Sequence, residues 1–387
     1  MRYARMAVSP LAFYRGAALI MASDLASSGH TGIIAQLCGD AHLSNFGLFS
    51  TPERHLIFDI NDFDETLPGP FEWDVKRLAA SFAVAGRHRG FSAEEERACV
   101  VAAAHGYRTA MRRAATSTVL DAWYDRLDAE RARVSIRQAQ LDQLVGDEEV
   151  RRLDATIEKA RRRDQRKAFK KLVRVVDGRL RIVAAPPLIV PVEELLREAG
   201  RAADEADVMH QVLGAYRTTL VGERHPFAEY RYRHMARKVV GVGSVGTRAW
   251  VILFSGRDDD DPLLLQAKEA QASVLERFLG PSEFDDHAER VVRGQRLMQA
   301  SSDIFLGWQS VIGLDGQHRD FYIRQLQDGK GGIDPETMTV RGATLYARIC
   351  GETLARAHSR SGDRVQIAGY LGRSETFEEA IADFAVA

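Results

Sequence analysis

The feature that most constrains the fold is a change of hydrophobic period near residue 33. Residues 1–30 carry apolar side chains at helical spacing, which predicts a helix. Residues 33–38 then form a short apolar run, and residues 55–60 alternate between apolar and polar types. These two runs predict strands on either side of a loop at residues 39–54. A helical pattern returns at residues 73–145, so we expect a chain that mixes helices and strands.

The second half of the chain predicts a β-rich part between helical parts. Residues 147–176 are dense in charge, which favours a solvated helix face, with a phosphate-binding patch as the alternative. Further elements are expected as follows: a β-rich stretch at 173–191, helix at 192–222, an antiparallel meander at 238–267, helix to about 300, a strand at 321–326 and a helix at 342–358.

Composition limits the classes of function. The chain has 387 residues, which fits two or three lobes. Lys and Arg total 53 and Asp and Glu total 54, giving a net charge of -1, so we expect no bulk attraction to nucleic acid or a membrane surface. The three cysteines, Cys38, Cys99 and Cys350, have no paired spacing, which argues against a disulfide framework and a zinc site. The scattered cysteines make the reducing cytoplasm the expected compartment, and since no apolar run reaches about 18 residues we expect no membrane-spanning helix.

Three groups between residues 40 and 62 have the chemistry that phosphoryl transfer requires. Asp40 and Asn45 form an Asp-x4-Asn loop, and Asp62 follows the second predicted strand. A carboxylate can orient an attacking hydroxyl, while an amide and a second carboxylate can hold Mg²⁺ against a triphosphate. Such residues also occur in loops because they make turns and cap helices. Asp59 is a rival candidate for the metal.

The loop resembles the catalytic loop of aminoglycoside and choline phosphotransferases, relatives of the protein kinases, which reads His-Gly-Asp-Leu-His-x-Gly-Asn. Four positions match in register, and Cys38 replaces the first His: Gly39, Asp40, His42 and Asn45. Those families continue with a stretch of the type Ile-Asp-Phe-Asp-Asp and a further Asp. The corresponding residues are Asp62, Phe63, Asp64 and Asp74.

The resemblance implies a role for each residue. Asp40 is expected to be the catalytic base. His42 could orient Asp40 or the substrate, and a structural histidine is an equal alternative. Asp74 is expected to be the buried carboxylate that braces the loop. The implied metal ligands are Asn45, Asp62 and Asp64.

A glycine-rich segment far along the chain predicts a nucleotide-binding loop. Residues 239–246 read Val-Val-Gly-Val-Gly-Ser-Val-Gly, and Lys268 lies at the third predicted strand of the meander. In kinases a glycine loop covers the phosphates, a lysine on the third strand contacts them, and a helix glutamate orients the lysine. Glu276 and Glu283 are candidates for that glutamate. A plain hairpin turn is the alternative. The cofactor-binding residues are predicted to be Gly241, Gly243, Ser244, Gly246, Lys268 and Glu276.

The order of these motifs predicts an α+β, protein-kinase-like, two-lobed fold that is circularly permuted. The catalytic loop precedes the glycine loop, and the helix ending at His358 comes last. We therefore expect residues 1–222 to form a helical lobe with the catalytic loop. Residues 223–335 are expected to form the β-meander lobe, and residues 336–387 to return to the first lobe.

The preferred function is ATP- and Mg²⁺-dependent phosphoryl transfer to an unknown hydroxyl of a small molecule or protein. Three alternatives remain: an AMP-transferring enzyme with the nucleotide reversed, a nucleotide-binding pseudokinase or interaction module, and a metal-dependent hydrolase. The oligomeric state is not constrained by the pattern. Several arginines suit phosphate contacts but equally suit structural ion pairs: Arg15, Arg77, Arg248 and Arg324.

Long segments of the chain also resemble an uncharacterised bacterial family, domain of unknown function 2252. The resemblance is carried by residues 5–16, 38–47, 58–74, 240–248 and 354–363. It implies a family but no substrate.

Overall fold

The computed structural model describes residues 4, 6–162, 165–198, 214–222, 224–239, 247–312, 316–326 and 329–387. The described part mixes helices and strands, as the α+β prediction required. The helices are α1 Pro10–Gly16, α2 Ala18–Ser27, α3 Glu72–Arg89, α4 Ala93–Thr116, α5 Val119–Tyr124, α6 Ala129–Leu141, α7 Asp147–Arg161, α8 Gln165–Leu172, α9 Val192–Glu198, α10 Glu276–Leu279, α11 His287–Met298, α12 Val340–Ser361, α13 Arg364–Leu371 and α14 Thr376–Val386.

The strands belong to two small N-terminal sheets, a hairpin and one larger sheet. They are β1 Ile34–Leu37, β2 Phe46–Ser50, β3 Leu56–Ile60, β4 Leu67–Pro70, β5 Leu127–Asp128, β6 Val173–Val176, β7 Arg179–Ile182, β8 Ile189–Pro191, β9 Arg231–Lys238, β10 Ala249–Ser255, β11 Pro262–Ala270, β12 Gly307–Ile312 and β13 His318–Gln325.

The largest core lies among helices from the two ends of the chain. Helix α4 packs along α12, and α3, α13 and α14 join the same bundle. The α4–α12 crossing is close because a Cβ at Gly351 would lie 2.0 Å from the Ala103 carbonyl oxygen, and one at Gly106 would lie 2.3 Å from that of Arg348. Side chains at these two positions would force the helices apart. The C-terminal helices thus pack on α3 and α4.

The larger sheet has six strands in the order β12-β13-β11-β10-β9-β8, with antiparallel neighbours. Each face of the sheet is covered by a separate apolar cluster. One cluster contains Leu263 and Leu265 of β11, whereas the other contains Leu264 together with Leu172 of α8 and Ile182 of β7. Successive residues of a strand point to opposite faces, so α8 and the β6–β7 hairpin cover the face that carries Leu264.

The small sheets hold the loop that contains Asp40. Strand β1 pairs with β4, and β2 pairs with β3 in a hairpin whose register places Phe46 opposite Ile60. The chain between β1 and β2 and the chain after β3 therefore lie side by side. The N–H of Asn61 donates to the carbonyl of Asn45 (3.0 Å), which extends the hairpin by one more bond.

Most predicted elements are present, with four corrections. The first predicted helix is broken at Ala17 into α1 and α2, and β2 lies within the stretch expected to be a loop. The first meander strand comes earlier than expected, at Arg231–Lys238. Strand β12 was not predicted, because its alternation is interrupted by Gly307 and polar residues on both faces. Within the described residues, no helix combines the length and apolar character needed to cross a membrane.

Candidate functional site

Asp74, in the first turn of α3, holds the start of the Asp40 loop. Its carboxylate accepts hydrogen bonds from the backbone N–H groups of Cys38 (2.8 Å) and Gly39 (3.0 Å). The same carboxylate lies 3.3 Å from Nε2 of His358, near the end of α12. All of these groups are buried. The contact is the one expected of a carboxylate that braces the loop.

Gly39 allows the loop to pass close to the chain after β3. Its φ is +81°, a left-handed conformation, and a Cβ would lie 2.2 Å from the carbonyl oxygen of Glu65. Any other residue would be strained there and would clash with backbone. This close approach brings the Asp40 loop and the Asp62–Glu65 segment together.

The carboxylate of Asp40 is fixed by a buried arginine. Oδ1 of Asp40 accepts from Nε of Arg77 (2.6 Å) and lies 2.5 Å from a terminal guanidinium nitrogen. The guanidinium stacks on the ring of Tyr14 at 4.6 Å, and Tyr14 O–H donates to the Arg77 carbonyl (2.7 Å). The Asp40 side chain remains 22% exposed. Arg77 therefore orients Asp40 through Oδ1.

His42 and Asn45 complete the loop in different ways. Nδ1 of His42 accepts the Ser44 N–H (3.2 Å), and Nε2 lies 3.8 Å from Oδ2 of Asp40. Burial lowers the pKa of His42 to about 4, so the imidazole is neutral near pH 7 and its approach to Asp40 is not an ion pair. Nδ2 of Asn45 donates to the Asp40 carbonyl (2.8 Å). Because the amide nitrogen is used in this way, Oδ1 of Asn45 is the atom suited to a cation.

Lys268 of β11 reaches the carboxylates that follow β3. Its Nζ donates to Oδ2 of Asp64 (2.8 Å) and lies 3.9 Å from Oδ1 of Asp62. Burial lowers the pKa of Lys268, but Asp62 and Asp64 raise it by more, so its pKa lies above the ordinary lysine value. Tyr322 O–H donates to the other oxygen of Asp64 (2.5 Å). Asp64 is thus held by two partners, while the Asp62 side chain is 36% exposed.

The structure does not pair Lys268 with Glu276, which is a correction to the expected orienting contact. Glu276 accepts the Ser273 N–H (3.0 Å) and lies 3.7 Å from Nε of Arg290. Glu283 is exposed. The carboxylates after β3 are closer to Lys268 than either helix glutamate, and spacing along the chain could not reveal this.

Arg290 of α11 and Glu65 are site residues that the motif analysis missed. Arg290 is 2% exposed and donates to three backbone carbonyls, among them those of Asp64 (2.9 Å) and Thr66 (2.6 Å). Glu65 accepts the Val274 N–H (2.7 Å), and burial raises its pKa to about 7. Arg290 therefore clamps the chain that carries the carboxylates. Its only sequence signal was a charge on the apolar face of a helix.

The other predicted site residues fall into two groups. Gly241, Gly243, Ser244 and Gly246 lie outside the described residues. Asp59 is 4% exposed and accepts the N–H groups of Ile60 and Ala300, so this rival for the metal is a structural carboxylate. Arg248 lies against Glu269, whereas Arg324 donates to the Asn61 carbonyl (3.1 Å), next to Asp62.

The donor set for a cation consists of oxygens. Among the described residues, no group of three or more His, Cys, Asp and Glu side chains is arranged to hold a metal ion. Asn45 and Asn61 are backbone neighbours at the end of the β2–β3 hairpin, and Asp62 directly follows Asn61. One or two carboxylate or amide ligands, completed by phosphate oxygens and water, are the usual protein contribution to Mg²⁺ binding in nucleotide sites. The residues present therefore fit Mg²⁺ held jointly with a phosphate ligand.

Comparison with known proteins identifies the family. The chain belongs to the family described as "Uncharacterized protein conserved in bacteria (DUF2252)", whose model matches residues 1–387. No curated protein and no solved structure matches the chain significantly.

Proposed function

We propose that this member of the DUF2252 family is a Mg²⁺- and ATP-dependent phosphotransferase-like enzyme with a permuted, protein-kinase-like fold. It transfers a phosphate-containing group from the nucleotide to a hydroxyl of a small molecule or protein. The three cysteines are unpaired and buried, which suits the reducing cytoplasm.

The observation that carries the proposal is the meeting of Lys268 with Asp62 and Asp64. The hydrogen-bonded pair Lys268–Asp64 is separated by 204 positions in the chain. A magnesium–nucleotide site needs a cation for the phosphates beside a carboxylate for the metal. Lys268 is buried, whereas both carboxylates stay partly exposed, so the lysine charge lies beside oxygens that a metal or phosphate ligand could reach. The partial exposure of Asp62 leaves it accessible to a ligand.

The element order supports the permuted fold. Strands β9, β10 and β11 form a meander in which residues 239–246 connect the first two strands and Lys268 lies on the third. Kinases have the glycine loop and the phosphate-binding lysine at these positions. Helix α12 then returns to the first lobe, where His358 contacts Asp74.

Asp40 is the group proposed to act on the acceptor. Two nitrogens of Arg77 hold its Oδ1, so Oδ2 is the oxygen proposed to accept a hydrogen bond from an incoming hydroxyl. In phosphoryl transfer such a carboxylate mainly orients the nucleophile and takes its proton late. Asn45 fixes the Asp40 backbone from the other side.

Asn45 and Asp62 are the residues that would hold Mg²⁺. When bound, the ion would neutralise phosphate charge and help to align the triphosphate. Lys268 would contact the phosphates, and Arg290 would keep Asp64 and its neighbours in place.

Two competing functions are less well supported. A metal-dependent hydrolase would need a larger set of metal ligands than the described residues provide. A binding module without chemistry would have no need for a buried arginine to orient Asp40 beside the residues proposed to hold Mg²⁺.

Binding tests the proposal directly. Thermal unfolding of the full chain should shift upward with ATP and Mg²⁺ together; ligand at tenfold its Kd stabilises the folded state by about 1.4 kcal/mol. Lys268→Met should weaken this shift, whereas Arg277→Met, at an exposed position of α10, should not. An absence of stabilisation at millimolar Mg-ATP would overturn the proposal.

A further inference from the structure

One wall of the site is cationic along two neighbouring strands. The register pairs Lys268 with Tyr322 and Gln266 with Arg324. Directly opposed residues in adjacent strands share a face, so Lys268 and Arg324 point to the same side. Both cations lie over the Tyr322 ring, at 5.2 Å for Lys268 and 5.6 Å for Arg324.

Arg324 has a donor that is not used within the described residues. One guanidinium nitrogen donates to the Asn61 carbonyl (3.1 Å), but Nε is buried and finds no hydrogen-bond partner among them. A buried N–H without an acceptor costs about 1–3 kcal/mol. This nitrogen is therefore poised for an acceptor that a ligand could bring.

A second cation, Lys330, lines the same cleft as Arg324. The cleft is also lined by Leu48, Phe49, Asn61, Gln295, Gln299 and Asp303. The positive charge of Arg324, burial and the charge of Lys268 lower the pKa of Lys330 to about 7. Like charges held together in this way are relieved by an anion.

The negative side chain in the cleft, Asp303, is directed to backbone donors. Its two oxygens accept the N–H groups of Phe305 (2.9 Å) and Gln325 (2.6 Å). Burial raises the pKa of Asp303. Because backbone N–H groups occupy both oxygens, Asp303 repels an incoming anion less than a carboxylate with free oxygens would.

The apolar surface on the same face of the sheet is already covered. Leu264 lies four positions before Lys268 on β11 and packs in one cluster with Leu172 of α8 and Leu180 of β7. A nucleobase needs an apolar or aromatic surface to stack on. The Arg324–Lys330 cleft is also lined by Leu48 and Phe49. Its two cations nevertheless make phosphate, rather than the nucleobase, the part of a nucleotide that the charge of the cleft favours.

We propose that the Arg324–Lys330 cleft binds the β- and γ-phosphates of the nucleotide, so that pyrophosphate is the leaving group and AMP is the group transferred. This inference rests on the proposed function. The acceptor oxygen attacks the α-phosphorus and forms a new P–O bond. The bond from the α-phosphorus to the bridging oxygen breaks, its electron pair leaves with pyrophosphate, and the hydroxyl proton passes to Asp40.

Calorimetric titration of the full chain with pyrophosphate, ATP and AMP tests the subsite. Arg324→Met and Lys330→Met should each weaken pyrophosphate and ATP binding by about 10- to 100-fold, the range for a lost charged hydrogen bond. AMP binding should be unchanged, as should all three affinities in the control Arg277→Met. Arg324 and Lys330 are both half-buried, so the two variants are independent tests, each judged with a melting temperature that matches wild type.

The outcomes separate the subsite from the function. Unchanged pyrophosphate binding in Lys330→Met, or an equal loss for AMP, overturns the subsite while Mg-ATP binding through Lys268 still stands. Pyrophosphate binding that depends on the cleft, without any Mg-ATP binding, overturns the function and leaves the phosphate subsite. Release of pyrophosphate from ATP supports AMP transfer, and release of ADP overturns it.

Discussion

Replacing Asp74 should destabilise the protein by an amount set by the two N–H groups it accepts. In Asp74→Ala the donors of Cys38 and Gly39 lose their acceptor in a buried site. Each unsatisfied buried donor costs about 1–3 kcal/mol, so the free energy of unfolding should fall by about 2–6 kcal/mol. Asp74→Asn retains one acceptor oxygen and should lose about half as much.

The assay is equilibrium unfolding in urea, followed by the midpoint and the slope of the transition. Asp383→Asn is the matched control, because Asp383 pairs with Arg97 at the surface with its side chain 72% exposed. Exposed pairs contribute about 0–1 kcal/mol, so the control should stay near wild type. A loss under about 1 kcal/mol in Asp74→Ala would refute the reasoning that Asp74 braces the loop.

Two further predictions concern the loop itself. Asp40→Ala should leave Mg-ATP binding nearly intact and reduce turnover by about two to four orders of magnitude. Asp62→Ala should weaken both binding and turnover. Equal ATP turnover in wild type and Asp40→Ala would contradict the assignment of Asp40 as the base. His42 has a lowered pKa, so its contribution to stability is present above pH 6.5 and is lost as the pH falls to about 4. His42→Asn keeps an acceptor for the Ser44 N–H but does not titrate. Between pH 7 and pH 4 its free energy of unfolding, measured in urea, should therefore rise by about 3 kcal/mol relative to that of wild type. Parallel pH profiles for the two proteins would contradict this.

Much of the loop could be predicted because its residues are close in the chain. Asp40 and Asn45 lie in a stretch flanked by β1 and β3, whose patterns predict strands, whereas β2, which pairs with β3, falls in the predicted loop. The Asp74 contact also spans fewer than one hundred residues and was expected from the resemblance. Local pattern and short loops determine such contacts with little help from the rest of the fold.

Contacts between residues that lie far apart in the chain could not be predicted in the same way. The kinase-like motif predicts a helix glutamate beside Lys268, but Asp64 is the partner at 2.8 Å. Arg290 lies against Glu276 and donates to the Asp64 carbonyl instead. The choice depends on how β11 and α11 pack against the chain after β3. Periodicity assigns a residue to a face but does not say which charge on another element will be nearest.

The sequence by itself therefore determined the mixed helix and strand content, the loop that carries Asp40 and Asn45, and the family. Tertiary structure alone decided that Lys268 lies against Asp62 and Asp64 and that Arg324 and Lys330 line a shared cleft. It also decided that α8 and the β6–β7 hairpin cover the neighbouring apolar face. The physical reason is that pattern along the chain reports which side of an element is buried, whereas the pairing of distant charges depends on which surfaces pack together and exclude water.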